Sequence, residues 1–442
     1  MIFSSIQFLF FWILIVYLNK FDLIRSPISI GLIGLCFYSF QGLFNFLILF
    51  YIFLIICLSY RLIFKTYLLI ILTLLPLIII KYSNFIFTNV LQLDYEINYL
   101  TSISIPPGLS FISFSAIALI YYLKNNKEKF GINLSYLYLF PQLIAGPIVR
   151  PNELIPQIKS LKENSNLNKD ITLGVFIFSV GILIKVFIAD SISDFIDPIF
   201  SNLENELFSK KLIALFLFSQ QIFFDFNGYT LMAIGVGKTI GINLPENFNA
   251  PYLASSISDF WKRWHITLSS WIKDYIYIPL GGSRNGLFKN YLNILIAMTI
   301  SGIWHGAGYN FFIWGLAHGL FIVIEKVFKK LTIFNTNVYF KIFITYFTVT
   351  FLWLFFRIEN LNDLKLFFQN FLLIDLLDID LIFFLFLILV LNYLQKFLTI
   401  DFLNNIFNKL NRIFCIIFSI SIILVCIIIS NGSSQKFIYF NF

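Results

Sequence analysis

Uninterrupted apolar runs recur along the whole chain, and they constrain its fold more than any other feature of the sequence. Hydrophobic residues make up 59% of the 442 residues and charged residues only 12%, about half the charged share of a soluble domain. About a dozen runs can be counted, most of them near the ~20 residues that a helix needs to cross a bilayer. Lipid offers the backbone no hydrogen-bond partner, so each run must satisfy its own peptide groups as a helix. We therefore predict an all-α, polytopic membrane protein with about 11–13 transmembrane or re-entrant helices.

The formal net charge of +8 comes from lysine and arginine outside these runs. In a membrane protein such an excess marks cytoplasmic loops, so we expect no nucleic-acid partner. The first run, Ile6–Leu18, lacks a basic segment before it and a small-residue cleavage site after it, and we expect it to stay as a membrane helix. The four cysteines lie within apolar runs without metal or redox spacing. They are expected to be buried thiols, neither disulfides nor metal ligands.

Charge counting also predicts the sidedness of the middle of the chain. The segment Leu134–Gly146 has basic residues on both flanks and is too short to span, so we expect it to be re-entrant or interfacial. The polar stretch Arg150–Asp170 is expected to be a cytoplasmic loop. The acidic connection Asp190–Lys211 is expected outside, and the basic stretch Asn227–Lys289 in the cytoplasm.

All three histidines of the chain lie between His265 and His318. His305 falls between two apolar arms of about 15 residues, each about 22 Å long as a helix, whereas the hydrocarbon core is about 30 Å thick. A hairpin with both feet in the cytoplasm therefore ends inside the membrane, with His305 near its tip and Gly306 and Gly308 in the turn. Polar groups surround this turn, namely Ser301, Trp304, Asn310 and Trp314. A neutral imidazole at this depth can serve as a general base, although a helix cap or an interhelical hydrogen bond remains the structural alternative.

The other two histidines have weaker signals. His318 follows His305 by 13 residues, which places it about 15 Å or more away along a helix axis. We therefore expect a structural or tunnel-lining role for it. His265 shares one helical face with Trp261, Trp264 and Trp271, a pattern typical of an amphipathic helix lying in the interface with its tryptophans at headgroup level. The cationic side of that helix, with Lys262 and Arg263, is a candidate surface for a phosphorylated donor such as a coenzyme A thioester.

Two further motifs carry polar groups near the membrane. The turn Pro279–Gly286 contains Arg284 and several glycines, yet it lacks the lysine–serine pair of a nucleotide-binding loop. Asp225 is expected to end an apolar helix, where it orients a histidine, holds a substrate hydroxyl or caps the helix. Lys185 and Asp190 are expected to reach the interface from a helix end.

Several motifs together resemble the bacterial alginate and peptidoglycan O-acetyltransferase branch of the membrane-bound O-acyltransferase family, and more distantly the D-alanyl transferase of teichoic acids. The motifs that carry the resemblance are Phe140–Arg150, Asp225–Tyr229, Pro245–Asn249, Phe260–His265, Tyr277–Gly282, Gly302–Gly306 and Trp314–Gly319, with a weaker match at Trp353–Arg357. The chain departs from the branch at Leu231, where an aspartate is usual, and at Phe111–Ala116, where an aromatic–glutamine signature is expected.

The resemblance implies helices around a central tunnel, within one membrane-embedded domain over residues 1–442 whose catalytic core is residues 105–330. It implies that His305 is the catalytic histidine and His265 a second catalytic residue. The expected tunnel or substrate residues are Trp304, Asn310, Asp225, Asn227, Tyr229 and His318, and the expected donor-binding residues are Lys262, Arg263 and Arg284. The location implied is the bacterial cytoplasmic membrane, among its lipids.

The function expected is transfer of an acyl group, acetyl by default, from acetyl-CoA or another acyl thioester to a cell-envelope polysaccharide or peptidoglycan. No permanently bound cofactor or metal is expected. An extracytoplasmic acetyltransferase or another acceptor-presenting protein is the expected partner. The alternatives are an acyltransferase that modifies lipids or proteins with a longer acyl group, and a transporter or channel in which His305 and Asp225 relay protons. No inverted repeat is evident in support of a transporter.

Overall fold

The computed structural model describes residues 3–59, 65–92, 105–163, 167–330, 337–358, 360–369, 379–430 and 438. Every regular element in these ranges is a helix, so the all-α prediction is confirmed. Five helices in the described ranges are long and apolar enough to cross a membrane, and a bent pair, Ile382–Leu398 with Ile400–Lys409, makes up to six. The five are Thr66–Val90, Asn168–Ser201, Tyr309–Phe328, Val338–Arg357 and Arg412–Ser430.

The outer faces of these spans and of the shorter helix Ile6–Lys20 are apolar. Phe10, Phe386 and Ile428 expose 72%, 65% and 71% of their surfaces. Large apolar side chains exposed in such numbers fit a lipid environment, because a soluble protein rarely shows wide apolar patches. The polytopic membrane prediction is therefore confirmed, while the number of embedded helices and the sidedness of the loops stay predictions.

The chain forms two compact units whose boundaries interleave along the sequence. The first unit comprises Met1–Ile182, Tyr229–Pro245 and Lys409–Ser434, and the second comprises Leu183–Gly228, Glu246–Asn408 and Gln435–Phe442. The prediction of one domain with a catalytic core at residues 105–330 stays a prediction.

The first unit contains two of the five membrane-length helices, Thr66–Val90 and Arg412–Ser430, and several shorter apolar helices. In its core the Trp12 indole N–H donates to the Thr239 hydroxyl over 2.9 Å. Gly34 packs against the Tyr138 carbonyl so closely that a Cβ there would lie 1.6 Å from the oxygen. Its principal helices are Ile6–Lys20, Pro27–Ser39, Leu43–Ser59, Thr66–Leu77, Leu109–Leu123, Phe130–Leu137, Pro151–Ser160 and Arg412–Ser430, together with parts of Leu167–Ile184 and Phe208–Thr239.

The second unit carries all three histidines. Part of its core packs Leu203, Phe208 and Leu215 against Leu354 and Phe367. Its principal helices are Ser191–Ser201, Ile257–Arg263, Ile266–Ile272, Leu287–His305, Tyr309–Lys330, Val338–Arg357, Leu361–Phe368, Ile379–Leu394 and Ile400–Lys409. Two wide-turn π-helical segments, Lys185–Asp190 and Lys273–Tyr277, interrupt the regular helices.

One loop prediction is wrong, and a connection whose predicted location stays a prediction is partly helical. Residues expected as the cytoplasmic loop Arg150–Asp170 contain the helix Pro151–Ser160, in which Pro151 takes the first turn and Leu154 and Ile158 are buried. Proline is tolerated at that position because the first amide of a helix has no intrahelical acceptor. The acidic connection Asp190–Lys211 likewise contains the helix Ser191–Ser201, whose apolar face is buried. In both segments burial of one apolar face outweighs the polar composition.

The short segment Leu134–Gly146 is only partly helical, and its re-entrant or interfacial position stays a prediction. Its helical part ends at Leu137, and the chain then continues without regular structure through buried residues to Arg150. At Gly146 a Cβ would lie 2.4 Å from the Pro141 carbonyl oxygen, so the reversal there requires glycine. The cysteines agree only in part, because Cys415 and Cys426 are buried whereas Cys36 is exposed on the apolar surface.

Candidate functional site

His305 is the last residue of the helix Leu287–His305, and the chain turns back at once into the helix Tyr309–Lys330. The expected helical hairpin is therefore present. Its glycines serve close packing instead of a left-handed backbone. A Cβ at Gly306 would lie 2.0 Å from the ring of Phe311, and one at Gly308 would lie 2.2 Å from the Asn310 side-chain oxygen.

The two arms of the hairpin touch at glycines. A Cβ on Gly302 would lie 2.9 Å from the Cα of Gly315, and a Cβ on Gly315 would lie 2.4 Å from the Met298 carbonyl oxygen. Small residues at a helix crossing let two backbones approach closely. This contact brings the residues flanking Gly302 and Gly315, including His305 and Trp314, within reach of each other.

Aromatic rings enclose the imidazole of His305. Its ring centroid lies 4.7 Å from Trp304, 5.1 Å from Trp314 and 5.3 Å from Phe356. The side chain is 3% exposed. All three contacts are edge-to-face, an arrangement that aromatic rings prefer. The open tunnel expected at His305 stays a prediction, since the rings cover the imidazole in this conformation.

His318 lies much closer to His305 than expected. Its ring centroid is 4.8 Å from Trp314, and His305 contacts the same indole at 5.1 Å. The two imidazoles are therefore no farther apart than the sum of these distances, well below the expected separation of about 15 Å. The expected separation uses only the helical rise per residue. It leaves out the tilt of each side chain toward the N-terminus of its own helix. Because the arms are antiparallel, His305 leans down from the turn and His318 leans up toward it.

His265 lies at a break between two helices. The expected single amphipathic helix is wrong, because Ile257–Arg263 ends at Trp264 and a new helix begins at Ile266. His265 itself has a left-handed backbone, with φ of 42°. Its imidazole is fully buried, 4.7 Å from the ring of Phe226 and 6.2 Å from that of Trp304.

The tryptophans around this break are not placed as they would be at a membrane–water interface. Trp261, Trp264 and Trp271 are buried in protein and do not lie on an outer surface, so the prediction of tryptophans at headgroup level is wrong. Burial also lowers the pKa of His265 to about 3, because desolvation disfavours the charged form. His265 is therefore neutral at physiological pH.

The rings of the three histidines and their neighbours form one connected group, which we call the histidine cluster. It comprises Phe226, Trp261, His265, Trp304, His305, Trp314, His318 and Phe356. Every pair in this chain of contacts belongs to the second unit.

Asn310 and Ser301 lie close to the turn with different roles. The Asn310 amide donates to the Phe355 carbonyl over 3.1 Å, and so ties the start of one helix to the end of Val338–Arg357. One of its N–H groups is therefore committed to the fold. Ser301 lies four residues before His305 on the same helix face, and its buried hydroxyl has no hydrogen-bond partner among the described residues.

Asp225 does not end a helix. It lies in the middle of Phe208–Thr239, where its carboxylate forms a 2.8 Å ion pair with Lys185 and accepts the backbone N–H of Ile438 over 2.8 Å. Lys185 also pairs with Asp190. The expected position of Lys185 and Asp190 at a helix end is wrong, since both lie within Asn168–Ser201 and the ammonium is buried.

The neighbours of Asp225 divide between the two units. Asn227 is buried in the second unit. Tyr229 belongs to the first unit, where its ring stacks on Phe3 with centroids 4.7 Å apart. The tunnel roles expected of both residues stay predictions.

One family model matches residues 129–367, more than half of the chain, and describes the membrane-bound O-acyltransferase family. The chain belongs to this family. The matched range contains all three histidines and Asp225, so the resemblance inferred from the motifs is confirmed.

Curated relatives of this membrane-bound O-acyltransferase come from several bacteria. A "Peptidoglycan O-acetyltransferase" of Helicobacter pylori is 44% identical over 52% of this chain and 44% of its own length. A "Probable alginate O-acetylase AlgI" of Pseudomonas aeruginosa is 35% identical over 64% and 55%. A "Teichoic acid D-alanyltransferase" of Bacillus subtilis is 27% identical over 50% and 59%. The chain thus spans about half the length of the curated relatives it matches.

The residues expected to bind the donor of this membrane-bound O-acyltransferase differ in exposure. Lys262 is exposed, whereas Arg263 is partly buried and paired with Asp259 over 3.0 Å. Arg284 is exposed in the glycine-rich turn. That turn is held by Asn293, whose amide donates to the carbonyls of Leu280 and Gly282. The donor-binding roles stay predictions.

Two members of the histidine cluster, Phe226 and Phe356, are not predicted as site residues from the sequence. In the sequence Phe226 stands out only as part of a motif with Asp225, and Phe356 only as part of a weak C-terminal match. Trp353 and Phe356 lie three residues apart, on one face of their helix, and both rings contact Trp314, at 5.5 and 5.4 Å. An aromatic pair at this spacing within an apolar helix was the available signal.

Proposed function

We propose that the chain is an O-acyltransferase that moves an acyl group, expected to be acetyl, from a cytoplasmic thioester such as acetyl-CoA to an extracytoplasmic hydroxyl. The acceptor is a cell-envelope polysaccharide or peptidoglycan. The names of the most similar relatives support this acceptor class. The observation that carries the proposal is the histidine cluster, which gathers the three histidines of a family member around one buried turn.

In the proposed reaction His305 acts as the general base. It takes the proton of the acceptor hydroxyl while the hydroxyl oxygen forms a bond to the thioester carbonyl carbon. The carbonyl electron pair moves onto its oxygen and then returns as the carbon–sulfur bond breaks. His305 gives the proton to the departing thiolate, so the base ends in its starting state and no external proton is needed.

Access to His305 requires movement of the rings that cover it. Trp304, Trp314 and Phe356 enclose an imidazole that is 3% exposed. The reaction therefore requires that donor and acceptor displace at least one of these rings. Water exclusion by the same rings protects the thioester against hydrolysis.

The cellular location of the protein and its partner are part of the same proposal. The protein is proposed to lie in the bacterial cytoplasmic membrane, with donor loading from the cytoplasm near exposed Lys262. An acceptor-presenting protein, or an extracytoplasmic acetyltransferase that carries the acyl group onward, is proposed as its partner. A hydroxyl of this partner would be the first acceptor of the acyl group.

The first test is His305→Ala in purified protein reconstituted in vesicles. We expect consumption of labelled acetyl-CoA to fall by about 10²–10⁴-fold, the usual contribution of a general base. Ile300→Ala is the matched control, because Ile300 lies on the same helix and is exposed. Wild-type turnover by a folded His305→Ala variant would exclude His305 as the base.

The same assay separates the other candidate activities. A transporter would move its substrate with a gradient and leave acetyl-CoA intact. A lipid- or protein-modifying enzyme would retain a longer acyl group, which mass spectrometry of the trapped acyl adduct identifies.

A further inference from the structure

Trp314 and His318 carry buried polar atoms that the fold does not use. Both side chains are 0% exposed. The Trp314 indole N–H and the His318 Nε2 have no hydrogen-bond partner among the residues that the structure describes. Most buried polar atoms in proteins are paired, so an unpaired one requires an explanation, of which a catalytic role is one.

The hydrogen bonding of His318 identifies its proton. The Trp261 indole donates to His318 Nδ1 over 3.3 Å, and an indole nitrogen is only a donor. Nδ1 must therefore hold a lone pair, which means that the imidazole is neutral with its proton on Nε2. His318 Nε2 is thus an N–H donor, like the nitrogen of Trp314.

The rings that carry these two donors lie close to the proposed base. Trp314 and His318 are four residues apart on one helix, so they share a face, and their rings are 4.8 Å apart. Trp314 also lies 5.1 Å from His305. A general base with two unpaired N–H donors next to it is the arrangement that acyl transfer requires, because negative charge develops on the carbonyl oxygen while the base takes a proton.

We propose that the Trp314 N–H and the His318 Nε2–H bind the thioester carbonyl oxygen and stabilise the oxyanion that forms on it. The proposal rests on the proposed function. In this step the acceptor oxygen bonds to the carbonyl carbon, the carbonyl electron pair moves onto the oxygen between the two donors, and the pair returns as sulfur leaves. Both residues are then catalytic, whereas Asn310, one of whose amide N–H groups is tied to the Phe355 carbonyl, positions the turn.

Two substitutions of His318 distinguish its two nitrogens. In His318→Asn the amide oxygen can replace Nδ1 as acceptor for Trp261, while the donor at Nε2 is lost. In His318→Gln the longer side chain places an amide N–H near the former Nε2. We expect kcat with labelled acetyl-CoA to fall about 10²–10³-fold in the Asn variant, with little change in KM, and to recover most of that loss in the Gln variant.

A sulfur-for-oxygen substitution in the donor tests the contact directly. An acetyl-CoA analogue with a thiocarbonyl in place of the carbonyl accepts hydrogen bonds weakly. We expect it to slow the wild-type enzyme more than it slows Trp314→Phe or His318→Asn. Each variant is compared with itself on the two donors, so a partial loss of folding does not affect the result.

The outcomes separate this inference from the proposed function. Equal slowing by the analogue in all three proteins, or wild-type kcat in Trp314→Phe and His318→Asn while His305→Ala is inactive, would overturn the oxyanion assignment alone. Failure of the wild-type protein to consume acetyl-CoA would overturn the proposed function and the assignment with it.

Discussion

Two regions of the second unit bury polar groups in opposite ways. One is the charged triad of Lys185, Asp190 and Asp225, and the other is the pair of donors on Trp314 and His318 in the histidine cluster. In the triad the Lys185 ammonium is 5% exposed and is ion-paired with both carboxylates. In the cluster the two donors are neutral and have no acceptor among the described residues.

The difference follows from the cost of burial. An unpaired charge in a low-dielectric interior costs far more than an unpaired neutral N–H. The triad must therefore be completed by the protein itself, whereas the donor pair can remain open for a ligand. We therefore propose that the triad is a structural site and that the donor pair is a binding site.

The local backbone supports the structural role of the triad. Lys185 and Asp190 are five residues apart, which in a regular α-helix places them about 140° apart around the axis. The segment between them is a π-helix, whose wider turn brings residues five apart onto one face. The helix thus departs from regular geometry where the departure places Lys185 between two carboxylates.

The largest expected effect on stability comes from breaking the triad. Lys185→Met leaves Asp225, whose side chain is 2% exposed, without its ammonium partner. Removing one member of a buried ion pair costs about 3–5 kcal/mol. We expect a marked fall in the thermal unfolding midpoint of the purified protein, measured by intrinsic fluorescence. Any loss of turnover should follow from this loss of stability.

The double variant Lys185→Met/Asp225→Asn is the matched control. It removes the charge of Asp225, the more buried of the two carboxylates that lose Lys185, so part of the lost stability should return. A double variant no more stable than Lys185→Met would show that charge pairing is not what the triad contributes. By contrast, His318→Asn should reduce kcat with a much smaller change in unfolding temperature, and the reverse pattern would abolish the distinction between the two regions.

The two regions also differ in how far the sequence predicts them. The hairpin around His305 was predictable, because apolar run lengths and basic flanks report directly on where a chain enters and leaves the membrane. The Lys185–Asp190 pair was not, because a spacing of five residues brings side chains together only in a wide turn. The closeness of His305 and His318 was missed because it depends on side-chain tilt in two antiparallel helices.

The loops show the same limit. The polar composition of Arg150–Asp170 favours a loop, yet burial of Leu154 and Ile158 produces a helix. At His265 the periodic tryptophans favoured one continuous helix, yet the backbone turns left-handed there and both neighbouring helices are short. Periodicity reports which residues are buried and does not report where the backbone breaks.

The next largest effect should come from the crossing of the hairpin arms. In Gly315→Ala the new Cβ would lie 2.4 Å from the Met298 carbonyl oxygen and 2.9 Å from the Cα of Gly302, so backbone must move. Overpacking of this kind costs about 1–3 kcal/mol. Because the crossing holds Trp314 near His305, we expect acetyl-CoA turnover to fall as well.

Gly319→Ala is the control, one helical turn farther along. Its Cβ would meet the Leu295 Cδ2 and Met298 Cβ at 3.2 Å, and these neighbours need to shift only slightly. Unfolding temperature and turnover measured side by side should rank Gly315→Ala well below Gly319→Ala. Equal values would mean that the glycine contact does not position the cluster.

The smallest effect tests the one paired nitrogen of His318. Trp261→Phe removes the indole donor to Nδ1 and keeps an aromatic ring, so it should cost about 1 kcal/mol, the net value of one hydrogen bond. Without that donor the imidazole proton is free to move to Nδ1, which leaves a lone pair at Nε2 facing the carbonyl oxygen. We therefore expect kcat to fall while KM for acetyl-CoA stays the same, by less than in His318→Asn because the Nε2–H tautomer remains partly populated. A Trp261→Phe variant with the kcat of the wild type would show that the protonation of His318 is set by something other than Trp261, and a loss as large as that of His318→Asn would show that Trp261 alone sets it.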